Sequence, residues 1–462
     1  MNSKTSPHIL GTAPIGKLLA EYSIPAIIGM TVTSLYHAID SVFIGKGLGD
    51  EGAFALSGVG VTLPLMNLVI AFCMLISIGG ATISSIYMGQ KDMERTTSVL
   101  HNVTILLVLV GIAVSVFTIP FLDEILIFFG ASERTLPYAY DFMLIILLAN
   151  PIAYLFVGLN NVMRSTGYPR KAMYTALLSV VVNLILAPIF IFNLNMGIKG
   201  AAWATVISQV CGMIWVLGHF INKKSFIHFK KGYFTLKNKI IKSILAVGLA
   251  PFLLNVCASI MVIFLNSSLK ENGGDLAIGA YGSIINRMLM LIVMIVAGLN
   301  QGMQPILGYN YGAKQFTRMW KTLFYGIFVG TIISTSGWVM FVFFPDQVVS
   351  VFSNDVTLNQ IASNGLTITG LCFPLVGAQI VITNFFQAIG KSKISILLSL
   401  SRQMLFLVPG IIILPYFFGT DGVWISMPIS DIAAFTFSMI AFAWIYKKIK
   451  KENRNIDCIV EE

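Results

Sequence analysis

The sequence predicts an all-α membrane protein, with twelve transmembrane helices in two pseudo-symmetric six-helix lobes. Three observations carry this expectation. The 462 residues are 56% hydrophobic and only 11% charged, whereas a soluble domain carries about 25% charged residues. The apolar residues fall in runs of roughly 20 or more, the length that crosses a hydrocarbon layer as a helix. Short motifs of the first half recur in the second at a near-constant interval. A soluble enzyme of this length would need far more polar surface.

The first span is expected at 17–44, closed by GKGLGDEG, and the second at 54–88, closed by GQKDMERT. The third, 98–121, ends before LDEILIFFGASERT, and the fourth, 136–160, before RSTGYPRK. The fifth and sixth follow at 172–192 and 198–222, and the seventh at 240–266 runs to KENGGD. The remaining spans are expected at 276–311, 319–345, 357–388, 394–416 and 422–446, with GTDG between the last two. Charge, Gly and Pro mark these breaks.

The start, MNSKTSPHILGTAPIGK, lacks an apolar core followed by a small-residue cleavage site, so no cleaved signal peptide is expected. Cys73, Cys211, Cys257, Cys372 and Cys458 form no CxxC pair and no metal-ligand spacing. Neither a disulfide framework, nor zinc, nor any other cofactor is expected.

The net charge is +10. An even number of spans puts both termini on one side, taken as the cytoplasm. That side receives Lys4, Lys17, Lys91, Arg95, Arg164, Arg170, Lys171 and seven lysines between Lys223 and Lys242. Lys314, Arg318, Lys321, Lys391, Lys393, Arg402 and five basic residues from Lys447 to Arg454 join them. Of the 30 basic residues, 25 are then inside, and Lys46, Arg134, Lys199 and Lys270 are outside. This is a positive-inside signal. The basic excess therefore reads as topology. Nucleic acid is not an expected partner, because no aromatic-rich soluble domain accompanies the charge.

The longest polar connection, KKSFIHFKKGYFTLKNKIIK (223–242), lies near mid-chain. On either side of it, IGGATISSIYMGQK (78–91) resembles NQGMQPILGYNYGAK (300–314). Gly79 matches Gly302, Gly89 matches Gly312 and Lys91 matches Lys314, each 223 residues apart. RSTGYPRKAMYTALLS (164–179) resembles QAIGKSKISILLS (387–399), and IKGAAW (198–203) resembles DGVW (421–424). The order and interval indicate a duplicated six-span unit. Because six is even, both copies enter the membrane in the same direction, as in transporters built from parallel repeats. The expected parts are an N-terminal lobe at 1–222, a cytoplasmic loop at 223–239, a C-terminal lobe at 240–450 and a charged tail at 451–462.

PAIIGMTVTSLYHAIDSVFIGKGLG (25–49), MRSTGYPRKAM (163–173), GLNQGMQPILGYNYGAK (298–314) and GTDGVWISMPISDI (419–432) carry a further resemblance. The chain resembles the multidrug and toxic compound extrusion (MATE) family, in particular its bacterial DinF-like branch, over nearly its whole length. The resemblance implies a V-shaped cavity between two lobes and export of small organic, often cationic, compounds in exchange for H⁺ or Na⁺. It also implies a multi-pass protein of the bacterial cytoplasmic membrane. The expected partners are small organic substrates and membrane lipids, and the expected working form is a monomer.

Asp40 is the one carboxylate of the stretch TSLYHAIDSVFIG (33–45), at the end of the first span's long apolar run. Ionisable groups within a bilayer are costly and usually functional, although Asp40 is only about 7 Å from the end of its span at 1.5 Å per residue. Tyr36 precedes it by one turn. His37 lies three residues before it and reads first as a packed or interfacial residue rather than a proton relay. Pro25 removes a backbone hydrogen bond and permits a bend. Asn183 of the fifth span and Thr205 of the sixth fall about 14 and 10 Å below the same surface, so the three could share a layer. A carboxylate shielded from water takes up a proton more readily, and with amide and hydroxyl oxygens nearby it could instead hold Na⁺.

The family resemblance implies that Asp40, Tyr36, Asn183 and Thr205 form the cation-coupling site. The family often has a second Asp one turn after the Asn; here that position is Ala187, so a two-carboxylate site is absent. In the second half, Asn266 matches Asp40 in the repeat, and Ser259 stands where another branch has Glu.

Arg287 and Asp431 lie about 16 and 13 Å into their spans, which leads to the expectation of a structural ion pair. The 21 Met and 33 Phe residues suit hydrophobic cations but read mainly as packing. Gln301 and Gln304 beside Pro305 read as permitting bending or close packing. No HExxH, GxSxG or phosphate-binding loop occurs, so the chain is not expected to be an enzyme. The alternative reading is a lipid-linked saccharide flippase of the same superfamily, which would favour several cationic residues facing the cavity.

Overall fold

The computed structural model describes residues 9–47, 52–352 and 356–460. The described residues are almost entirely helical. The long helices are α1 (Ile15–Gly47), α2 (Gly52–Gly89), α3 (Met93–Thr118), α4 (Leu136–Leu148), α5 (Asn150–Ser165), α6 (Pro169–Pro188) and α7 (Gly197–Ile221). They continue as α8 (Asn238–Ala280, broken at Gly274), α9 (Asn286–Gly312), α10 (Phe316–Phe343), α11 (Val356–Gly370), α12 (Phe373–Ala388), α13 (Ser392–Leu400) and α14 (Pro415–Val460, broken at Gly419). Ten of the described helical stretches are long and apolar enough to cross a membrane. The pairs α4–α5 and α11–α12, bent by 58° and 53°, bring the number to twelve if each pair is one span.

Local chemistry explains the ends. Asp92 caps α3 by accepting the Arg95 backbone N–H at 2.9 Å, and Glu94 lies in the first turn, where the helix dipole favours an acid. Pro169 opens α6 at a position that needs no N–H. α1 is helical straight through Pro25, which supplies no N–H to the carbonyl one turn before it. Three π turns, at Ile189–Asn193, Tyr281–Ile285 and Ser401–Leu407, each fit an extra residue into a turn. Nothing in the hydropathy pattern announces them.

The backbone itself repeats. Left-handed φ angles occur at Lys91 (59°) and Lys314 (56°), at Gly167 (105°) and Gly390 (73°), and at Gly197 and Gly419 (both 57°). The first two pairs are 223 residues apart and the third 222. The duplicated motifs thus carry duplicated turns.

The chain packs as two compact units. The first holds Met1–Val256, Gly298–Thr322 and Ala388–Gly390, so it includes the N-terminal part of α8 and the C-terminal part of α9. The reason is close helix packing. A Cβ at Gly89 would collide with the Tyr309 carbonyl, and one at Gly312 with the Ile86 carbonyl. Since 309 and 312 are the repeat counterparts of 86 and 89, α2 and α9 cross in a reciprocal contact that only glycine permits. The core of this unit includes Leu100, Leu107, Leu159, Met163 and Phe220.

The second unit holds Cys257–Ala297, Leu323–Gln387 and Lys391–Glu462. Leu265, Leu269, Phe341, Phe373 and Trp424 form its core, and Tyr281 stacks on Trp424 at 6.3 Å.

Candidate cation site

In the first unit, α1, α6 and α7 pack against one another. Asp40 lies seven residues from the C-terminal end of α1 and is 8% exposed. Among the described residues its Oδ1 accepts no hydrogen bond. A buried carboxylate oxygen without a donor is costly and calls for a cation or proton. Asn183 of α6, 1% exposed, donates from Nδ2 to the Thr205 hydroxyl of α7 at 3.2 Å. Thr205 in turn donates to the Ala201 carbonyl one turn back at 3.1 Å. Ser208 and Ser179 extend this polar seam: Ser208 donates to the Thr205 carbonyl at 2.7 Å, and Ser179 to Ser208 at 3.3 Å.

The structure therefore joins Asn183 to Thr205 and buries Asp40 on the helix packed along both. Tyr36 lies one turn before Asp40 on α1. Its side chain and that of His37 fall outside the described residues. Ala187 is fully buried in an apolar cluster with Ile44, Ala201 and Ala204. The position of the family's second acid is thus enclosed by apolar groups as well as uncharged. Asn266, the repeat counterpart of Asp40, is exposed on α8.

In the second unit the expected Arg287–Asp431 pair is corrected. Asp431, 4% exposed on α14, is paired with Arg402, whose Nε and Nη2 both lie 2.8 Å from its Oδ1. Arg287 is exposed on α9. Depth along a helix fixes a side chain's level but not its direction around the axis, and Arg402 sits in the π turn packed on α14. Its position inside the apolar run 394–416 was the signal that would have set it apart from the loop charges.

Two further arginines counted with the loops also enter polar clusters of the first unit. Arg164, in the last turn of α5, donates to Asn160 at 3.4 Å, to Asn161 at 3.3 Å and to Gln301. Gln301 is therefore a hydrogen-bond partner of α5, and Gln304 donates to Thr82 and to the Ile78 carbonyl. Arg318 donates to the carbonyls of Leu10 and Ala13 at 3.3 and 2.6 Å, which ties down the beginning of the described chain. The helical spacing of Asn160, Asn161 and Arg164 was visible in the sequence, but the facing Gln301 was not.

This is a polytopic helical protein made from two related halves, with a buried carboxylate, Asp40, in the first. Its family follows from comparison with known proteins. The MatE family model matches residues 25–189 and again 248–413, so its second copy begins 223 residues after the first, and the chain belongs to that family. MATE proteins are transporters, not enzymes. A multidrug export protein, MepA, of Staphylococcus haemolyticus is 28% identical over 430 residues, covering 93% of this chain and 94% of that protein. A solved structure of the MATE multidrug transporter DinF-BH, in complex with a small molecule, is 36% identical. Its TM-score is 0.86, with 94% of this chain and 96% of that one covered. A MOP superfamily transporter from Pyrococcus furiosus, described as having a binding pocket of reverse polarity that suggests a different function, is 25% identical. It matches at a TM-score of 0.89, covering 97% of this chain and 99% of that one.

Proposed function

We propose that the protein is a secondary active antiporter that exports small organic, cationic or amphipathic compounds in exchange for H⁺ or Na⁺, by alternating access. Burial of Asp40 on α1, a helix packed against the two that carry the bonded pair Asn183–Thr205, supports this reading. A cation or proton at Asp40 neutralises a carboxylate that burial otherwise penalises, and its departure restores the charge. Asn183 and Thr205 hold each other in register through their hydrogen bond, and Tyr36, one turn before Asp40 along α1, is the fourth member of the proposed set. Such a group binds its ion in one state and releases it in another, which is what coupling requires.

The export of organic compounds rests on the multidrug relatives. The lobes 1–222 and 240–450 are the proposed moving bodies, with Pro25 as the place where α1 bends. The protein works as a monomer in a bacterial cytoplasmic membrane with both termini inside, in keeping with the distribution of its basic residues.

Efflux of a fluorescent organic cation from everted vesicles, under an imposed pH or Na⁺ gradient, tests this. Asp40→Asn is expected to abolish gradient-driven efflux while the protein still binds the dye. Full efflux by the variant under both gradients would remove Asp40 from the coupling step.

A further inference from the structure

The connection between α7 and α8 has chemistry that the cation site does not use. Residues 223–242 contain seven lysines and no acid. All seven are exposed. Among them stand Phe226, Phe234 and Leu236, 38%, 55% and 47% exposed.

The segment is folded rather than loosely tethered. Ser225 and Ile227 are buried. The Phe229 N–H bonds the Phe220 carbonyl at 2.8 Å, and the Phe226 N–H bonds the Tyr168 hydroxyl at 3.2 Å. The Lys230 N–H reaches His101 Nε2 at 3.1 Å, while His101 Nδ1 bonds the Thr97 carbonyl at 2.8 Å. Asn102 accepts the Lys237 N–H at 2.9 Å and donates to the Thr235 carbonyl at 3.2 Å. These anchors belong to the N-terminal part of α3, the α5–α6 turn and the end of α7. The segment is therefore fastened to the ends of apolar helices of span length. A positive-inside bias alone would place lysines there. It would not order the backbone or turn Phe and Leu outward between them.

We propose that the segment 223–237 is a docking surface for anionic lipid headgroups of the adjoining leaflet. The lysine ammoniums meet the lipid phosphates, and Phe226, Phe234 and Leu236 rest at the acyl boundary. A free phosphate ion would use only the charges, so the apolar neighbours assign the surface to lipid.

The test is binding of tail-labelled phosphatidylglycerol to the full-length detergent-solubilised protein, with phosphatidylcholine and soluble glycerol phosphate as competitors. Wild type should bind phosphatidylglycerol in preference to phosphatidylcholine, with little competition from glycerol phosphate. A variant with Lys223, Lys224, Lys230 and Lys231 all changed to Gln should lose about tenfold or more in affinity. The same four positions changed to Arg should retain it, which separates loss of charge from loss of fold. Equal binding by the Gln variant, or competition by glycerol phosphate as strong as by the lipid, would overturn the assignment.

Discussion

Thr205 shows how little material holds the proposed cation site in register. Its hydroxyl accepts from Asn183 and donates to Ala201, so one oxygen links two helices and its own preceding turn. Thr205→Val keeps the shape and removes both bonds. Leaving a buried amide hydrogen without its acceptor costs about 1–3 kcal/mol. The variant is expected to show a lower thermal midpoint in detergent and weaker ion dependence of efflux, and Thr205→Ser is expected to retain most of both. Midpoints and efflux rates for the two variants check this. An unchanged ion dependence in Thr205→Val would confine the residue to a packing role.

Among the elements, the π turn Ser401–Leu407 and α14 carry the most testable interaction. The Arg402–Asp431 pair joins a π turn to α14, with the acid almost completely enclosed. Removing one partner of a buried pair typically costs about 3–5 kcal/mol, whereas replacing both by apolar groups is often neutral. Asp431→Leu and Arg402→Met should each lower stability substantially, and the double variant should recover most of the loss. Thermal unfolding of the three proteins is the measurement, and equal, additive losses would argue against a coupled pair.

The same elements show what was legible beforehand. Hydropathy and breakers located the spans, because a helix in lipid must be long, apolar and bounded. The repeat interval was readable because Gly89, Gly167 and their counterparts serve backbone needs that no other residue meets as well. The partner of Asp431 was not readable, because it depends on rotation about two helix axes and on a π turn that leaves no compositional trace. The site divides in the same way. Asp40 was conspicuous as the acid at the end of an apolar run, and Asn183 and Thr205 became candidates from depth and resemblance. Their hydrogen bond and the apolar packing around Ala187 needed coordinates.

On the scale of the whole chain, the duplicated turns link fold to orientation. Lys91 and Lys314 hold left-handed φ angles of 59° and 56° at corresponding points of the two halves. A non-glycine residue pays about 1–2 kcal/mol for that conformation. Changing both to Gly should raise stability by about 0.5–1 kcal/mol each, after allowing for the greater freedom of glycine in the unfolded chain. It should also reduce the fraction of molecules inserted the right way round. Thermal midpoints and protease accessibility in sealed vesicles measure the two effects. Each half therefore tolerates a local discomfort at a place where a smaller residue would relax it. What it keeps is a fixed positive charge at the turn of a helical hairpin, where the expected reward for a less comfortable backbone is certainty about which way the chain faces.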